Sequence, residues 1–361
     1  MSAKQPAKIE DILSRVKAYW PKPQIARLQD AYEFAAEAHR DTPARLTGDP
    51  FITHPLAVGG ILTEIEAEPD TVIAGLLHDT VEDTDTELED VQGRFGDTVA
   101  TLVDGVTKLT RLDFTSRQEE QARNLRKMLL AMAQDLRVIL VKFADRLHNM
   151  RTLEPLPPDK REATAHETLH IFAPLAHRLG IWRLKWELED RAFRHLNPDR
   201  YFEIARLLGE GRADRERKIQ EVRAAVKDRL SSEGIEAQVQ GRAKHIYSIS
   251  QKIEEQDIRF EDIADLAAIR IITESVADCY GSLGLVHDLW MPIQDAFTDY
   301  IAKSKSNKYQ SLHTKVIGPD KHPLEVQIRT REMHRVAEYG VAAHWRYKEA
   351  SRPGGTAWTS R

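Results

Sequence analysis

Residues 76–84 read Leu76-Leu77-His78-Asp79-Thr80-Val81-Glu82-Asp83-Thr84, a histidine and an aspartate placed directly after two leucines. An unpaired carboxylate beside a buried apolar run is energetically costly, so this polar pair is expected to have partners. His54 upstream and Asp145 downstream complete a set of two imidazoles and two carboxylates. Ligands of these kinds suit one divalent ion such as Mn²⁺, Fe²⁺ or Zn²⁺. The stretch therefore predicts a His-Asp metal centre.

The periodicity of apolar residues changes along the chain. From about residue 25 to 208 they recur at helical spacing, as in Leu136, Leu140, Phe143 and Leu147. After Gly234, short alternating runs at 235–240, 268–272, 314–317 and 324–328 predict strands. The charged segment 211–229 is expected to be a long, solvated helix. The predicted fold class is multidomain, with an all-helical domain followed by a helical linker and an α/β domain on a mixed sheet.

Domain boundaries are predicted where prolines interrupt the helices and where the pattern changes. The predicted bounds are 1–155 for the helical domain, 156–208 for connecting helices, 209–349 for the α/β domain and 350–361 for a disordered tail. A length of 361 residues with 41% hydrophobic and 30% charged residues is sufficient for two globular units.

Charge and cysteine content limit the possible classes of protein. With a net charge of −5, the whole chain is not basic, as a dedicated nucleic-acid binder usually is. The single cysteine, Cys279, excludes an internal disulfide framework and a cysteine-rich zinc site, as expected in a reducing compartment. No apolar run has membrane length and no hydrophobic stretch follows the polar N-terminus. The expected location is the cytoplasm.

The first half also carries groups for hydrolysis. Glu82 and Asp83 follow the Asp79 ligand by about one turn, where a carboxylate can activate a water molecule. The pattern therefore favours metal-assisted hydrolysis of a phosphate ester. Alternatively, Glu82 and Asp83 belong to a solvated acidic face. His39 and His148 are expected to be structural, as single histidines on amphipathic helices usually are.

The second half carries cations and carboxylates that suit a polyphosphate. The cations are Arg242, Lys244 and Lys252 near a strand-to-helix transition, and Lys303 and Lys305 in a later loop. Asp265 and Glu325 flank or lie within strands and are candidate ligands for a Mg²⁺ that bridges phosphate oxygens. Tyr309 offers an aromatic face for a base. In the alternative interpretation, Tyr309 packs under the sheet and Asp265 caps a turn.

Several long motifs scattered over residues 20–349 resemble one known family. They are 51–55 (Phe-Ile-Thr-His-Pro), 77–84 (Leu-His-Asp-Thr-Val-Glu-Asp-Thr), 102–109 (Leu-Val-Asp-Gly-Val-Thr-Lys-Leu), 144–152 (Ala-Asp-Arg-Leu-His-Asn-Met-Arg-Thr), 309–314 (Tyr-Gln-Ser-Leu-His-Thr) and 338–345 (Glu-Tyr-Gly-Val-Ala-Ala-His-Trp). Together they resemble the catalytic N-terminal half of RelA/SpoT-type bifunctional Rel enzymes. The resemblance implies an HD-type hydrolase domain followed by a nucleotidyltransferase-like synthetase domain.

The resemblance also implies two opposed reactions on alarmones, the guanosine nucleotides ppGpp and pppGpp of the stringent response. The first domain would remove the 3′-pyrophosphate from (p)ppGpp, and the second would transfer pyrophosphate from ATP to the 3′-hydroxyl of GDP or GTP. In the hydrolase domain, His54, His78, Asp79 and Asp145 would hold Mn²⁺, Glu82 and Asp83 would activate water, and Arg45, Asn149 and Thr152 would contact the nucleotide. In the synthetase domain, Asp265 and Glu325 would be catalytic and hold Mg²⁺, Tyr309 would stack on guanine, and Arg242, Lys244, Ser248, Lys252, Lys305, Asn307, His313 and Gln327 would line the nucleotides.

The chain departs from the family pattern at several positions. Ala296 and Thr298 stand where the loop Pro-Gly-Arg-Phe-Lys-Asp-Tyr-Ile usually supplies an arginine and a lysine. Each lost charge-assisted hydrogen bond is worth about 1.5–3 kcal/mol, so weaker synthesis and a hydrolase-dominant enzyme are an alternative. Glu261 replaces a usual lysine, which leaves the preference between GDP and GTP open. Leu46 replaces a usual lysine in the first site.

The expected partners follow from the same resemblance. They are guanine nucleotides and ATP, whereas ribosome and uncharged tRNA would be sensed only through a C-terminal regulatory half that is not visible after Glu349. No membrane partner is expected. An enzyme that adds or trims nucleotides at RNA ends is a weaker alternative, because 265–267 (Asp-Leu-Ala) lacks a second carboxylate. A degenerate domain that only binds guanine nucleotides or a ribosomal partner is the non-enzymatic alternative.

Overall fold

The computed structural model describes residues 8–110, 134–210, 212–242, 244–260, 263, 268–319 and 321–340. The first of two units contains the described chain up to His177 together with Arg183–Ala192, and the second contains Arg178–Trp182 and Phe193–Gly340. The domain bounds at 155, 208 and 349 stay predictions, and the predicted tail 350–361 lies outside the described residues. Within the described residues, no helix is both long and apolar enough to cross a membrane.

Helices form the described part of the chain as far as Ser232, in agreement with the 3.6-residue spacing of its apolar residues. They are α1 (Ile9–Val16), α2 (Lys22–Ala38), α3 (Thr53–Glu64), α4 (Pro69–Leu77), α5 (Thr80–Asp83), α6 (Leu88–Phe95), α7 (Asp97–Thr110), α8 (Leu136–Arg151), α9 (Pro158–Glu167), a π-helical turn (Thr168–Phe172), α10 (Ala173–Arg178), α11 (Trp182–Leu196), α12 (Pro198–Glu210) and α13 (Arg212–Ser232). The all-helical character predicted for the first domain is confirmed.

Helices α3 and α4 pack closely because Gly75 has no side chain. A Cβ at that position would lie 2.4 Å from Leu62 Cδ1 and 3.4 Å from Val58 Cγ1 on α3. Both of these α3 side chains are fully buried, as is Leu76 beside the glycine. Interiors are close-packed, so a larger residue here would push the two helices apart. The close approach positions the two histidines that α3 and the end of α4 carry.

A partly buried ion pair joins α8 to α11 in the first unit. Glu187 accepts hydrogen bonds from Arg151 Nε (2.8 Å) and Nη2 (2.7 Å) and from Arg191 Nε (2.8 Å). Burial alone raises the pKa of Glu187, but Arg151 and then Arg191 outweigh it and lower that pKa to about 2. Because the folded-state pKa is depressed, the stabilisation is present above the unfolded pKa and is lost as pH falls.

We expect Glu187→Gln to lower the free energy of unfolding at pH 7 by about 1–2 kcal/mol, after discounting for the solvent-exposed part of the carboxylate. The difference from the unchanged protein should shrink as pH falls from about 5 towards 2. Urea unfolding at a series of pH values measures it. Glu162→Gln, at an exposed position on α9, is the control and should change little. A Glu187→Gln effect that is constant with pH would contradict the assignment.

A five-stranded mixed sheet forms the centre of the second unit. Its strands are β1 (Ala237–Gly241), β2 (Ala268–Thr273), β3 (Thr298–Asp299), β4 (Leu312–Ile317) and β5 (Pro323–Thr330), and the remaining helices are α14 (Ile246–Gln256), α15 (Val276–Leu289) and α16 (Arg331–Tyr339). The spatial order is β1-β2-β5-β4-β3. Only the β2–β5 pair is parallel among these strands. The predicted mixed sheet is confirmed, with the four predicted strands as β1, β2, β4 and β5.

Side chains alternate between the two faces of the sheet, as the two-residue period of a strand requires. On β5, Leu324, Val326 and Ile328 belong to the buried apolar core. The intervening residues Glu325 and Gln327 therefore lie on the opposite face. The same alternation places Arg270 of β2 and His313 of β4 on that polar face, in register with Gln327. The sheet thus separates a hydrophobic side from a side that carries chemistry.

Helix α13 differs from its prediction as a solvated helix. Val222, Val226 and Leu230 recur at four-residue spacing along it and pack into the core with residues of β1 and β2. A helix rich in charge still buries one narrow apolar stripe, which a count of charges along 211–229 does not reveal. This helix therefore covers the apolar face of the sheet.

Candidate metal and nucleotide sites

Three helices of the first unit bring the predicted metal ligands together. His54 lies at the start of α3, His78 and Asp79 directly follow α4, and Asp145 lies on α8. His54 Nε2 is 3.4 Å from both Asp79 Oδ2 and Asp145 Oδ1. His54, His78 and Asp145 each offer a ligand atom within 4.8 Å of the others, and all three side chains are buried. The geometry suits a single divalent ion with nitrogen and oxygen ligands.

The tautomer of His78 leaves one nitrogen for a cation. Its Nδ1 is 2.9 Å from the carbonyl oxygen of Gly75, which can only accept, so Nδ1 carries the proton. The other nitrogen, Nε2, lies 3.0 Å from Asp79 Oδ1. In the described structure this buried Nε2 makes no hydrogen bond. When Nε2 is unprotonated its lone pair faces this carboxylate, so positive charge is required between them, from either a proton on Nε2 or a metal ion.

The pKa values of the site also indicate that it attracts a cation. Burial lowers the pKa of His78, but the charges of Asp79 and Asp145 outweigh it and raise that pKa to about 8. Burial raises the pKa of Asp145, yet Lys142 and His54 hold it well below its usual value. Both directions show carboxylates that stay ionised and attract a cation. A metal ion bound to His78 would displace a proton from the ring.

Polar side chains around Asp145 form a second layer of contacts. Lys142 Nζ donates to Asp145 Oδ2 at 2.7 Å, and Asn149 Nδ2 donates to Asp145 Oδ1 at 2.5 Å. Arg45 Nη2 in turn donates to Asn149 Oδ1 at 3.0 Å. Of the predicted nucleotide contacts, Arg45 and Asn149 are therefore connected by hydrogen bonds to Asp145, a predicted metal ligand. Thr152 is the C-cap of α8, and its hydroxyl bonds to the carbonyl of His148.

The two predicted water-activating residues lie on α5, the single turn after Asp79. Asp83 is exposed, and Glu82 is half-buried. Partial burial, and then the charge of Asp79, raises the pKa of the Asp83 carboxyl. A raised pKa brings a carboxylate closer to the range in which it takes up a proton near neutral pH. Their placement suits general-base chemistry at the edge of the metal centre.

The polar face of the sheet brings part of the predicted nucleotide site together. Gln327 Nε2 donates to Glu325 Oε1 at 2.8 Å, and Arg242 Nη1 is 3.5 Å from the same oxygen. Tyr309 Oη and His313 Nε2 are 2.8 Å apart. These five residues form a continuous cluster of donors and acceptors on neighbouring strands and loops.

The remaining predicted residues lie around this cluster or outside the described chain. Lys305 Nζ is 4.5 Å from the ring centroid of Tyr300 and 5.5 Å from that of Tyr309. Asn307 Oδ1 accepts from the backbone of Tyr309 in the turn between them. Ser248 and Lys252 lie one turn apart on α14, and Lys244 precedes that helix. Asp265 lies outside the described residues, so its predicted Mg²⁺ role stays a prediction.

Tyr309 is largely enclosed. Only 8% of it is exposed, and its ring packs edge to face against Trp182 (6.0 Å), Tyr300 (6.1 Å) and His313 (5.7 Å). The guanidinium of Arg329 lies 6.0 Å from the same ring. This environment is compatible with both interpretations of Tyr309, a stacking surface for a base and a packed aromatic residue.

Comparison with known proteins finds two family matches. The HD domain family matches residues 31–182, and the region found in RelA/SpoT proteins matches residues 241–352. A Synechocystis protein named probable guanosine-3′,5′-bis(diphosphate) 3′-pyrophosphohydrolase is 53% identical over 89% of this chain and 42% of its own length. The chain therefore combines an HD domain with the region found in RelA/SpoT proteins, and it is similar to curated RelA/SpoT proteins over most of its length.

Other RelA/SpoT relatives agree. The bifunctional (p)ppGpp synthase/hydrolase SpoT of Escherichia coli is 48% identical over 96% of this chain and 49% of its own length. The chain thus spans less than half the length of these two relatives. A solved structure described as a metazoan orthologue of SpoT that hydrolyses ppGpp is 26% identical, with a TM-score of 0.38, over 50% of this chain and 99% of that one.

The structure places in the two clusters several residues to which the residue patterns and the RelA/SpoT motifs assigned no site role. In the first unit these are Lys142, beside Asp145, and His148, whose Nδ1 is 2.7 Å from His54 Nδ1. In the second unit they are Arg270 and Arg329, both bonded to Glu338. A signal existed for Arg329, because Glu325, Gln327 and Arg329 follow one another at the two-residue period of a single strand face.

Proposed function

We propose that the chain is a bifunctional alarmone enzyme. Its first reaction is Mn²⁺-dependent hydrolysis of the 3′-pyrophosphate of (p)ppGpp to GDP or GTP and pyrophosphate. Its second is Mg²⁺-dependent transfer of pyrophosphate from ATP to the 3′-hydroxyl of GDP or GTP. The names of the Synechocystis and Escherichia coli relatives support both activities.

The observation that carries the hydrolase proposal is the buried set His54, His78, Asp79 and Asp145. Two imidazoles and two carboxylates match a borderline divalent ion, and the orphaned Nε2 of His78 fits a ligand role. Such an ion supplies Lewis-acid polarisation of a phosphoryl oxygen. The carboxylates and imidazoles of this set would be occupied as ligands of the ion, so we propose that water is the attacking nucleophile.

Individual residues of the first unit have separate roles in the proposed hydrolysis. Glu82 or Asp83 accepts a proton from the attacking water, whose oxygen bonds to the phosphorus attached to the ribose 3′-oxygen. The bond between that phosphorus and the 3′-oxygen breaks, and the 3′-oxygen takes up a proton. Arg45, Asn149 and Thr152 orient the nucleotide. The coupling of Arg45 through Asn149 to Asp145 links substrate position to the metal centre.

The synthetase proposal rests on the polar face of the sheet. Glu325 and Asp265 would hold Mg²⁺, and Glu325 accepts the proton of the attacking 3′-hydroxyl. The 3′-oxygen bonds to the β-phosphorus of ATP, the bond between that phosphorus and the oxygen bridging it to the α-phosphorus breaks, and AMP leaves. The nucleotides are bound by Arg242, Lys244, Ser248, Lys252, Lys305, Asn307, His313 and Gln327. Tyr309 stacks on guanine. A hydrolase-dominant enzyme with weakened synthesis is the second candidate, favoured by Ala296 and Thr298 at the two positions where the family resemblance implies cations.

A nucleotide assay tests the hydrolase proposal. Protein stripped of metal with EDTA is incubated with ppGpp, with or without added Mn²⁺, and the products are separated by anion-exchange chromatography. We expect GDP and pyrophosphate only after Mn²⁺ is restored, because the carboxylates and imidazoles alone do not polarise the phosphate. Intact ppGpp in the presence of Mn²⁺ would refute hydrolysis by this chain, and equal release with EDTA would refute the metal role.

A second incubation tests synthesis. ATP and GDP are supplied with Mg²⁺, and ppGpp and AMP are the expected products. Restoring the two cations with Ala296→Arg and Thr298→Lys should raise the rate if their loss weakens the site, since each charge-assisted bond to phosphate is worth about 1.5–3 kcal/mol. No ppGpp from either protein would leave hydrolysis as the single activity.

A further inference from the structure

A histidine outside the proposed ligand set lies against one of the ligands. His148 Nδ1 and His54 Nδ1 are 2.7 Å apart, a hydrogen-bond distance, and the two rings have centroids 4.9 Å apart. The other nitrogen of His54, Nε2, faces Asp79 and Asp145 at 3.4 Å. His54 therefore has one nitrogen towards the metal centre and one towards His148.

We propose that His148 is a positioning residue that fixes the tautomer and ring orientation of His54 for metal binding. This inference rests on the proposed metal-dependent hydrolysis. The metal centre can use Nε2 of His54 only when that atom has a free lone pair, so the single proton of the neutral ring must lie on Nδ1. Nδ1 of His54 then donates to Nδ1 of His148, which accepts because its own proton lies on Nε2.

The fold makes this contact a rigid one. His148 follows Asp145 by three residues on α8, so one helix carries both a ligand and the partner of another ligand. Phe143 and Leu147 anchor α8 in the core with at most 1% exposure. His54 itself is only 2% exposed and lies on α3. The His54–His148 bond therefore fixes the position of the α3 ligand relative to the α8 ligand.

Loss of this bond should weaken metal binding. Without an acceptor at position 148, the proton of His54 is no longer held on Nδ1, and the form with a protonated Nε2 cannot bind the ion. Replacing such supporting partners typically weakens metal affinity by about 10–100-fold. A purely structural His148 would affect stability without a specific effect on the metal.

Titration of the metal-free protein with Mn²⁺, with unbound Mn²⁺ followed by electron paramagnetic resonance, tests the proposal without any activity measurement. His148→Phe keeps a ring but offers no acceptor, and we expect its Kd for Mn²⁺ to rise about 10–100-fold. His148→Gln keeps an acceptor oxygen and should recover much of the affinity. His166→Phe, at a partly exposed position in α9, is the control and should bind Mn²⁺ like the unchanged protein.

The outcomes separate the two proposals. If the unchanged protein binds no Mn²⁺, the proposed metal-dependent hydrolase fails, and the role of His148 fails with it. If the unchanged protein binds Mn²⁺ and His148→Phe binds equally well, only the role of His148 is overturned. Equal losses of affinity in the Phe and Gln variants would also overturn it, because the acceptor would then be irrelevant. Circular dichroism of each variant establishes that it is folded, and His148→Leu, which likewise offers no acceptor, replaces the Phe variant if that variant is not folded.

Discussion

Asp83→Asn should lower the turnover number for ppGpp hydrolysis by about 100- to 10,000-fold, the usual contribution of a general base. Asp83 lies on the turn after Asp79, a proposed metal ligand, and is exposed at the edge of the proposed metal centre. The amide of asparagine has nearly the same shape as the carboxylate but takes up no proton from water. Because Asp83 is not in the proposed ligand set, the Kd for Mn²⁺ should stay within about threefold of that of the unchanged protein.

Two measurements, turnover by chromatography and Mn²⁺ affinity by titration, make this prediction specific. Asp85→Asn is the matched control, because Asp85 is an exposed carboxylate of the same acidic segment two residues further along. It should retain both turnover and affinity. If Asp83→Asn loses Mn²⁺ affinity together with turnover, Asp83 supports the ion instead of activating water. If it keeps full turnover, Glu82 is the remaining candidate base.

The main elements of the fold, and the close grouping of His54, His78, Asp79 and Asp145, were predictable because each has a local signature in the sequence. Two leucines before His78 and Asp79 require a buried helix end, and apolar spacing around Asp145 requires an amphipathic helix. Period-two alternation in 324–328 predicted a strand and placed Glu325 and Gln327 on one face. Such patterns locate a side chain relative to its own helix or strand. They are sufficient to predict a contact when both residues of that contact carry a strong sequence pattern.

Contacts between residues far apart in the sequence were not predictable in this way when the residues carry no strong sequence pattern. His148 was expected to be structural because a single histidine on a helix has no distinguishing pattern, and its partner His54 lies 94 residues away in the sequence. The two-residue strand Thr298–Asp299 is too short to show alternation. The buried stripe of α13 is hidden among charged residues whose long side chains surround it. In each case tertiary packing determines the environment of the residue.

Glu338→Gln should destabilise the second unit by about 3 kcal/mol, within the range for removing one partner of a buried ion pair. Glu338 Oε1 accepts hydrogen bonds from Arg270 Nη1 at 3.0 Å and from Arg329 Nη2 at 3.2 Å. The side chain of Arg329 is only 1% exposed and that of Arg270 11%. Burial, and then the charge of Arg270, lowers the pKa of Arg329 to about 10, so this guanidinium depends on its carboxylate.

Glutamine fits the space of Glu338 but leaves two buried guanidinium groups without a compensating charge. Urea unfolding measures the loss, and hydrogen–deuterium exchange along β2 and β5 should locate it in the strands that carry Arg270 and Arg329. The control Glu332→Gln, on the same helix with a carboxylate 62% exposed, should change stability by less than about 0.5 kcal/mol.

Removing one charge as well, in Glu338→Gln with Arg329→Met, should recover part of the stability, because methionine requires no counter-ion. Equal unfolding midpoints for the Glu338→Gln and Glu332→Gln proteins would show that Glu338 is dispensable. Other contacts would then hold the two arginines, such as the 2.8 Å contact between Arg329 Nη2 and His334 Nδ1.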